Sequence, residues 1–145
     1  MKKLLAMGVL TLCLAACSSG ESTSSTGDTA GSVSGTATVA VDDGEITATV
    51  TKDADGKIEK VVIDQIQDGN SKKDLKEDYG MKDASGIGKE WYEQIAYLET
   101  YIVDNGVDAV KLDADGYPEG EDLRAGCTIN LSKIMEAVDD ADAKA

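Results

Sequence analysis

The chain has 145 residues and a formal net charge of −14, with no histidine, no phenylalanine, one tryptophan and three cysteines. An acidic balance of this size argues against a nucleic-acid surface, whose affinity comes largely from Lys and Arg on phosphates. Without histidine the chain cannot build a His-based triad, a His-ligated haem or a mixed Cys/His zinc site.

The first segment reads as an address. Lys2 and Lys3 form a positive start, residues 4–14 are apolar apart from Gly8 and Thr11, and Leu14-Ala15-Ala16-Cys17 closes the run with small residues before a cysteine. The run is short for a membrane-spanning helix, and its flanks are those of a signal peptide. The Leu-Ala-Ala-Cys ending resembles the lipobox of bacterial lipoproteins. That resemblance implies cleavage after residue 16, palmitate or a similar acyl chain on Cys17, and a cell-membrane anchor that holds the domain on the extracytoplasmic face. The alternative is an ordinary secretory signal.

Residues 18–35 contain fourteen Ser, Thr or Gly and no large aromatic or aliphatic cluster. Such a stretch cannot bury enough surface to offset its ordering entropy, and it is expected to be a flexible tether. The expected organisation is thus a signal peptide over residues 1–16, a lipidated Cys17 and tether over 17–35, and one domain over 36–145. Loss of Lys2 and Lys3 leaves 12 basic against 28 acidic side chains, a formal side-chain charge of −16, which suits an outward-facing domain kept soluble by charge. With Cys13 in the signal and Cys17 lipidated, Cys127 is the thiol of the domain, so no internal disulfide staples it.

Within the domain, residues 36–41 and 45–52 alternate Thr with Ala, Val or Ile around the turn Asp42-Asp43-Gly44. Both read as half-buried strands. Asp53-Ala54-Asp55-Gly56 turns the chain into a third strand over 58–66, which completes an antiparallel three-stranded meander. Residues 68–88 are charged and Gly-rich, with at most a short helix over 75–79. Trp91, Ile95, Leu98 and Ile102 then fall on one helical face that stops at Asn105-Gly106. Residues 107–112 suggest a further strand, and 113–120 a loop. Leu131, Ile134, Met135 and Val138 define a last amphipathic helix with Asn130 as N-cap. Strands first and helices after indicate an α+β fold, an N-terminal β-meander packed with two amphipathic helices.

Few of the residue patterns point to chemistry. The two Asp-Ala-Asp-Gly copies, at Asp53 and Asp113, place glycine fourth rather than sixth and lack the glutamate of a calcium loop, so they read as turns. Trp91 at helical spacing reads as a core anchor. The carboxylates are numerous, but no pair is set in the apolar context that raises one pKa for acid catalysis, and Cys127 and Thr128 have no histidine to activate them.

One stretch gains meaning from its spacing. Asp122-Leu-Arg-Ala-Gly-Cys-Thr128, expected as a Gly-containing loop, resembles the Asp-x-x-Ser/Thr-Gly-Ala-Thr/Ser motif of FMN-binding domains. This family includes flavin-bearing subunits of sodium- and proton-linked respiratory complexes and flavin lipoproteins of extracellular electron transfer. Asp122, Gly126 and Thr128 match the motif, while Ala125 stands in place of Ser or Thr and Cys127 in place of Ala. The order of elements, the lipobox and tether, and a block of Lys72, Lys73, Asp74, Tyr79 and Met81 are similar to the lipoprotein members. The resemblance implies FMN as cofactor and Thr128 as the residue that takes it through a phosphoester, installed by a separate flavin transferase. It also implies Gly126 as the turn that lets a phosphate approach, with Ala125 and Cys127 as small neighbours in that turn and Asp122 as a positioning residue. The function implied is that of an electron-transfer flavoprotein with a redox partner, rather than a stand-alone enzyme. The alternative is a non-catalytic binding or structural lipoprotein of the same fold without flavin.

Overall fold

The computed structural model describes residues 31–145. The signal peptide, Cys17 and the tether through residue 30 lie outside the described residues. Among the described residues no helix is long and apolar enough to cross a membrane.

The fold is α+β: a four-stranded antiparallel meander in the order β1-β2-β3-β4, with helices packed against one face. Strand β1 (Val33–Val41) pairs with β2 (Gly44–Lys52), and β2 with β3 (Ile58–Gln67). The period-2 pattern sends Ala37, Val39, Ile46, Ala48, Val50, Val61 and Ile63 to the buried face. The opposite face of β1 and β2 carries cross-strand hydroxyl pairs, Ser34–Thr51 at 2.8 Å, Thr36–Thr49 at 2.9 Å and Thr38–Thr47 at 3.1 Å, which hold the register where no core does.

The sheet is larger than the expected three strands. Asp68 and Gly69 both take positive φ, 51° and 81°, and form a two-residue hairpin that pairs β4 (Asn70–Ser71) with the end of β3. This is the twist-matched turn that an Asp-Gly dipeptide favours. Strand β1 also begins at Val33, three residues ahead of Thr36, so Val33, Ser34 and Gly35 are paired chain.

After β4 the chain forms α1 (Lys72–Leu75), capped by the Ser71 hydroxyl on the Asp74 N–H, and a 3-10 turn over Lys76–Tyr79. The predicted central helix is α2 (Trp91–Asn105), which packs on β3 and ends at Gly106. The expected strand over 107–112 does not form. Val107–Ala109 is a 3-10 turn, and Leu112 makes a single bridge to Pro118, which has no N–H with which to extend a ladder. A short helix α3 (Glu121–Arg124) replaces part of the loop expected over 122–130. Helix α4 (Ser132–Asp142) closes the domain against β1 and β2. Leu131 occupies its N-cap position, and the Asn130 carboxamide acts one residue earlier than predicted, accepting the Ser132 N–H at 3.0 Å.

Gly35 shows how tightly α4 is seated. A Cβ there would land on the Ala141 carbonyl and the backbone of Lys144 and Ala145. We expect Gly35→Val to lift the end of α4 and to lower the urea-unfolding free energy by about 1–3 kcal/mol, the usual cost of overpacking. An unchanged urea midpoint would show that this close approach contributes nothing.

Candidate functional site

A cleft of about 450 Å³ opens where the N-terminus of α2, the segment after β4 and the Cys127–Asn130 segment meet. Its lining combines Ile46, Trp91, Ile129 and Ile134 from the core with Gln65, Lys72, Tyr79, Met81 and Ser85 of the upstream segments and Tyr117, Thr128 and Asn130 of the downstream ones. Its volume is that of a small-molecule site, and its lining mixes apolar and aromatic side chains with a comparable share of polar ones. Trp91 is 3% exposed and serves both as core anchor and as cleft wall.

Thr128 enters the cleft because the residues around it are tied down. Cys127 and Ile129 face the core, so the alternation of an extended segment leaves Thr128 partly open between them. Its N–H donates to Gln94 Oε1 at 2.8 Å, and its hydroxyl donates to the Ser85 carbonyl at 3.0 Å, with Gln94 Oε1 at 3.3 Å. Gln94 is fully buried and donates in turn to the Lys89 carbonyl at 3.2 Å.

The opposite wall hangs on Glu90. This buried carboxylate accepts the Met81 N–H at 2.8 Å and the Lys82 N–H at 3.0 Å, while Glu93 accepts the Glu90 N–H and completes a capping box. Ser85 Oγ donates to the Lys82 carbonyl and accepts the Lys89 N–H, which closes residues 82–89 on themselves. These contacts fix the segment whose Tyr79 and Met81 line the same cleft as Thr128.

Lys72 is the charged group of the cleft. It is 7% exposed, donates to Gln65 Oε1 at 3.0 Å, and lies 4.9 Å from the Tyr79 ring centre and 5.7 Å from that of Trp91. Its neighbour Lys73 pairs with Glu99, but among the described residues no carboxylate pairs with Lys72. Its ammonium thus has one side-chain acceptor, two aromatic neighbours and a place on the cleft wall.

The sequence-predicted site residues divide. Thr128 lines the cleft, together with Lys72, Tyr79 and Met81 of the upstream block. Gly126 does not offer its open side to a phosphate: the Tyr97 ring fills the place where a Cβ would stand, and the Gly126 N–H donates to the Leu123 carbonyl. Its small size answers to Tyr97, whose hydroxyl also donates to the Asp122 carbonyl at 2.9 Å. Asp122 and Ala125 are exposed and do not line the cleft. Cys127 is fully buried, and burial pushes its thiol up to about 11. Both Asp-Ala-Asp-Gly segments are turns in which the first Asp accepts two backbone N–H groups, at 2.9 Å and 2.9 Å from Asp53 and at 3.0 Å and 2.9 Å from Asp113. The second turn sets Tyr117 at the rim, held by the Asn130 carboxamide on the Asp115 carbonyl and by the Leu131 N–H on the Gly116 carbonyl.

Gln94, Glu90 and Ser85 escape the sequence reading. Gln94 had a signal, a polar residue three places after Trp91 on the buried stripe, and Glu90 had one in its Glu-x-x-Glu spacing. Ser85 had none.

No protein family and no curated protein matches this chain. Among solved structures it is similar to the solution NMR structure of a structural-genomics target from Clostridium thermocellum. The two share 24% identity over 77% of this chain and 91% of the other, with a TM-score of 0.50. At that identity the likeness shows the fold alone: an α+β domain with a meander on one side and helices on the other.

Cys127 supplies a test of the closed core behind the cleft. We expect the native thiol to resist a disulfide reagent at pH 8 and to react at once in urea. The unfolded thiol ionises near 8.5 to 9, and the native one holds its proton to about 11. Between those values the native state binds more protons, so stability falls as pH rises through the window. Cys127→Ala should remove that part of the slope in urea titrations between pH 8 and 11. Fast native labelling at pH 8 would contradict the packing.

Proposed function

We propose that this chain is a surface-anchored lipoprotein whose domain binds FMN in the cleft and carries electrons in extracellular or membrane-linked redox chemistry. The observation that supports this best is the convergence of Lys72, Tyr79, Met81 and Trp91 with Thr128, residues from three separate stretches, around one pocket of flavin-compatible size. An ammonium with one side-chain acceptor beside two aromatic rings is a setting suited to an electron-poor, anion-forming ring system. FMN, when bound, supplies the redox chemistry that a chain without histidine or paired cysteines lacks. Thr128 is the attachment residue in this reading, Lys72, Tyr79 and Trp91 receive the ring, and a flavin transferase makes the bond. Cys17 holds the domain at the membrane.

A second reading, a binding or structural lipoprotein without flavin, draws on the Thr128 hydroxyl itself. That proton is already given to the Ser85 carbonyl. An ester oxygen carries no proton, so attachment releases this bond and leaves Gln94 to the Thr128 N–H alone.

Co-expression with a flavin transferase separates the two. The flavin reading expects a yellow protein with one FMN mass added to the peptide that contains Thr128, lost in Thr128→Ala and kept in Thr128→Ser. The second reading expects Thr128→Ala to change only the unfolding free energy, by about 1 kcal/mol, the worth of one part-buried hydrogen bond. A colourless protein without added mass would remove the covalent attachment. Failure of the purified protein to quench added FMN fluorescence would leave the second reading.

A further inference from the structure

Lys72 has donors that its own chain does not use. An ammonium carries three N–H groups and no acceptor, and one of them is taken by Gln65 Oε1 at 3.0 Å. It also lies near the Tyr79 and Trp91 rings, and the residue lines the cleft. Its position is firmly set, since Ser71 caps α1 and donates to Asp64, while Lys73 is drawn the other way to Glu99. A buried, positioned and incompletely paired cation facing a cavity marks the place where a ligand presents negative charge.

We propose that Lys72 makes the cleft hold reduced flavin more tightly than oxidised flavin, and so raises the reduction potential of whatever flavin is bound there. This rests on the reading of the cleft as a flavin site. Reduction adds two electrons from an external reductant and one proton, so the ring gains one negative charge, carried along its N1 and C2-carbonyl edge. A fixed ammonium favours that charged form through Coulomb attraction. Lys72 acts on the ring rather than on the phosphate, because the groups that flank it are aromatic.

The test uses the full chain in detergent with FMN and with riboflavin, which lacks the phosphate. Midpoint potentials are measured by dithionite titration against a reference dye, and affinities for the oxidised flavins by fluorescence quenching. Lys72→Met and Lys72→Gln should each reduce the preference for the reduced form about tenfold, which for a two-electron couple is a drop of about 30 mV. Lys72→Arg should keep the wild-type potential, and the shift should be the same for FMN and riboflavin. Thermal melts followed by circular dichroism confirm that the variants are folded; if Lys72→Met is not, Lys72→Gln carries the measurement. Unchanged potentials in both neutral variants would overturn this role while leaving flavin binding in place. A loss of oxidised FMN affinity without loss of riboflavin affinity would assign Lys72 to the phosphate and also overturn it. Wild-type protein that binds neither flavin overturns the flavin reading and this inference together.

Discussion

A carboxamide sits in the middle of an apolar core, and satisfying it organises the cleft. Gln94 is fully buried among Trp91, Ile95 and Leu98 on one face of α2. Left unpaired, its polar atoms would cost about 1–3 kcal/mol each. The chain answers with the Thr128 N–H on the carbonyl side and the Lys89 carbonyl on the amide side. That solution admits one register for residues 127–129. Cys127 and Ile129 go inward, and Thr128 looks into the cleft.

The other wall follows from the same helix. Glu90 accepts two backbone N–H groups from residues 81 and 82, at the end of α2 where the helix dipole favours a carboxylate. The loop is thereby pinned at both ends of its path, by Glu90 at Met81 and by Thr128 at Ser85. Two side chains one turn apart on a single helix hold both sides of the pocket. A site built on a helix in this way keeps its geometry better than one carried by free loops.

Much of the architecture was legible because it repeats. Thr and apolar residues alternate in β1 and β2, and the period of α2 and α4 is unbroken, so each strand and helix could be placed from its own residues. The misses lie where local pattern competes with pairing. β4 depends on Asp68-Gly69, a dipeptide with a known turn preference hidden within a charged run. Residues 107–112 have strand-like composition, yet their partner is Pro118, which cannot continue a ladder. Gly126 shows the same limit at the site: its small size was readable, but the Tyr97 ring that requires it comes from 29 positions upstream.

The sequence by itself determined the α+β class, the three long strands and the two long helices, the acidic balance and the exclusion of histidine chemistry, because composition and periodicity are properties of the chain before it folds. It also marked Thr128 and the Lys72 block as separate points of interest. Only the tertiary structure decided that these points share one cleft, that Asp122 and Ala125 stand outside it, and that Lys72 rather than Lys73 turns inward. Those outcomes depend on which distant backbone groups meet a buried Gln94 and a buried Glu90, and no local pattern encodes that meeting.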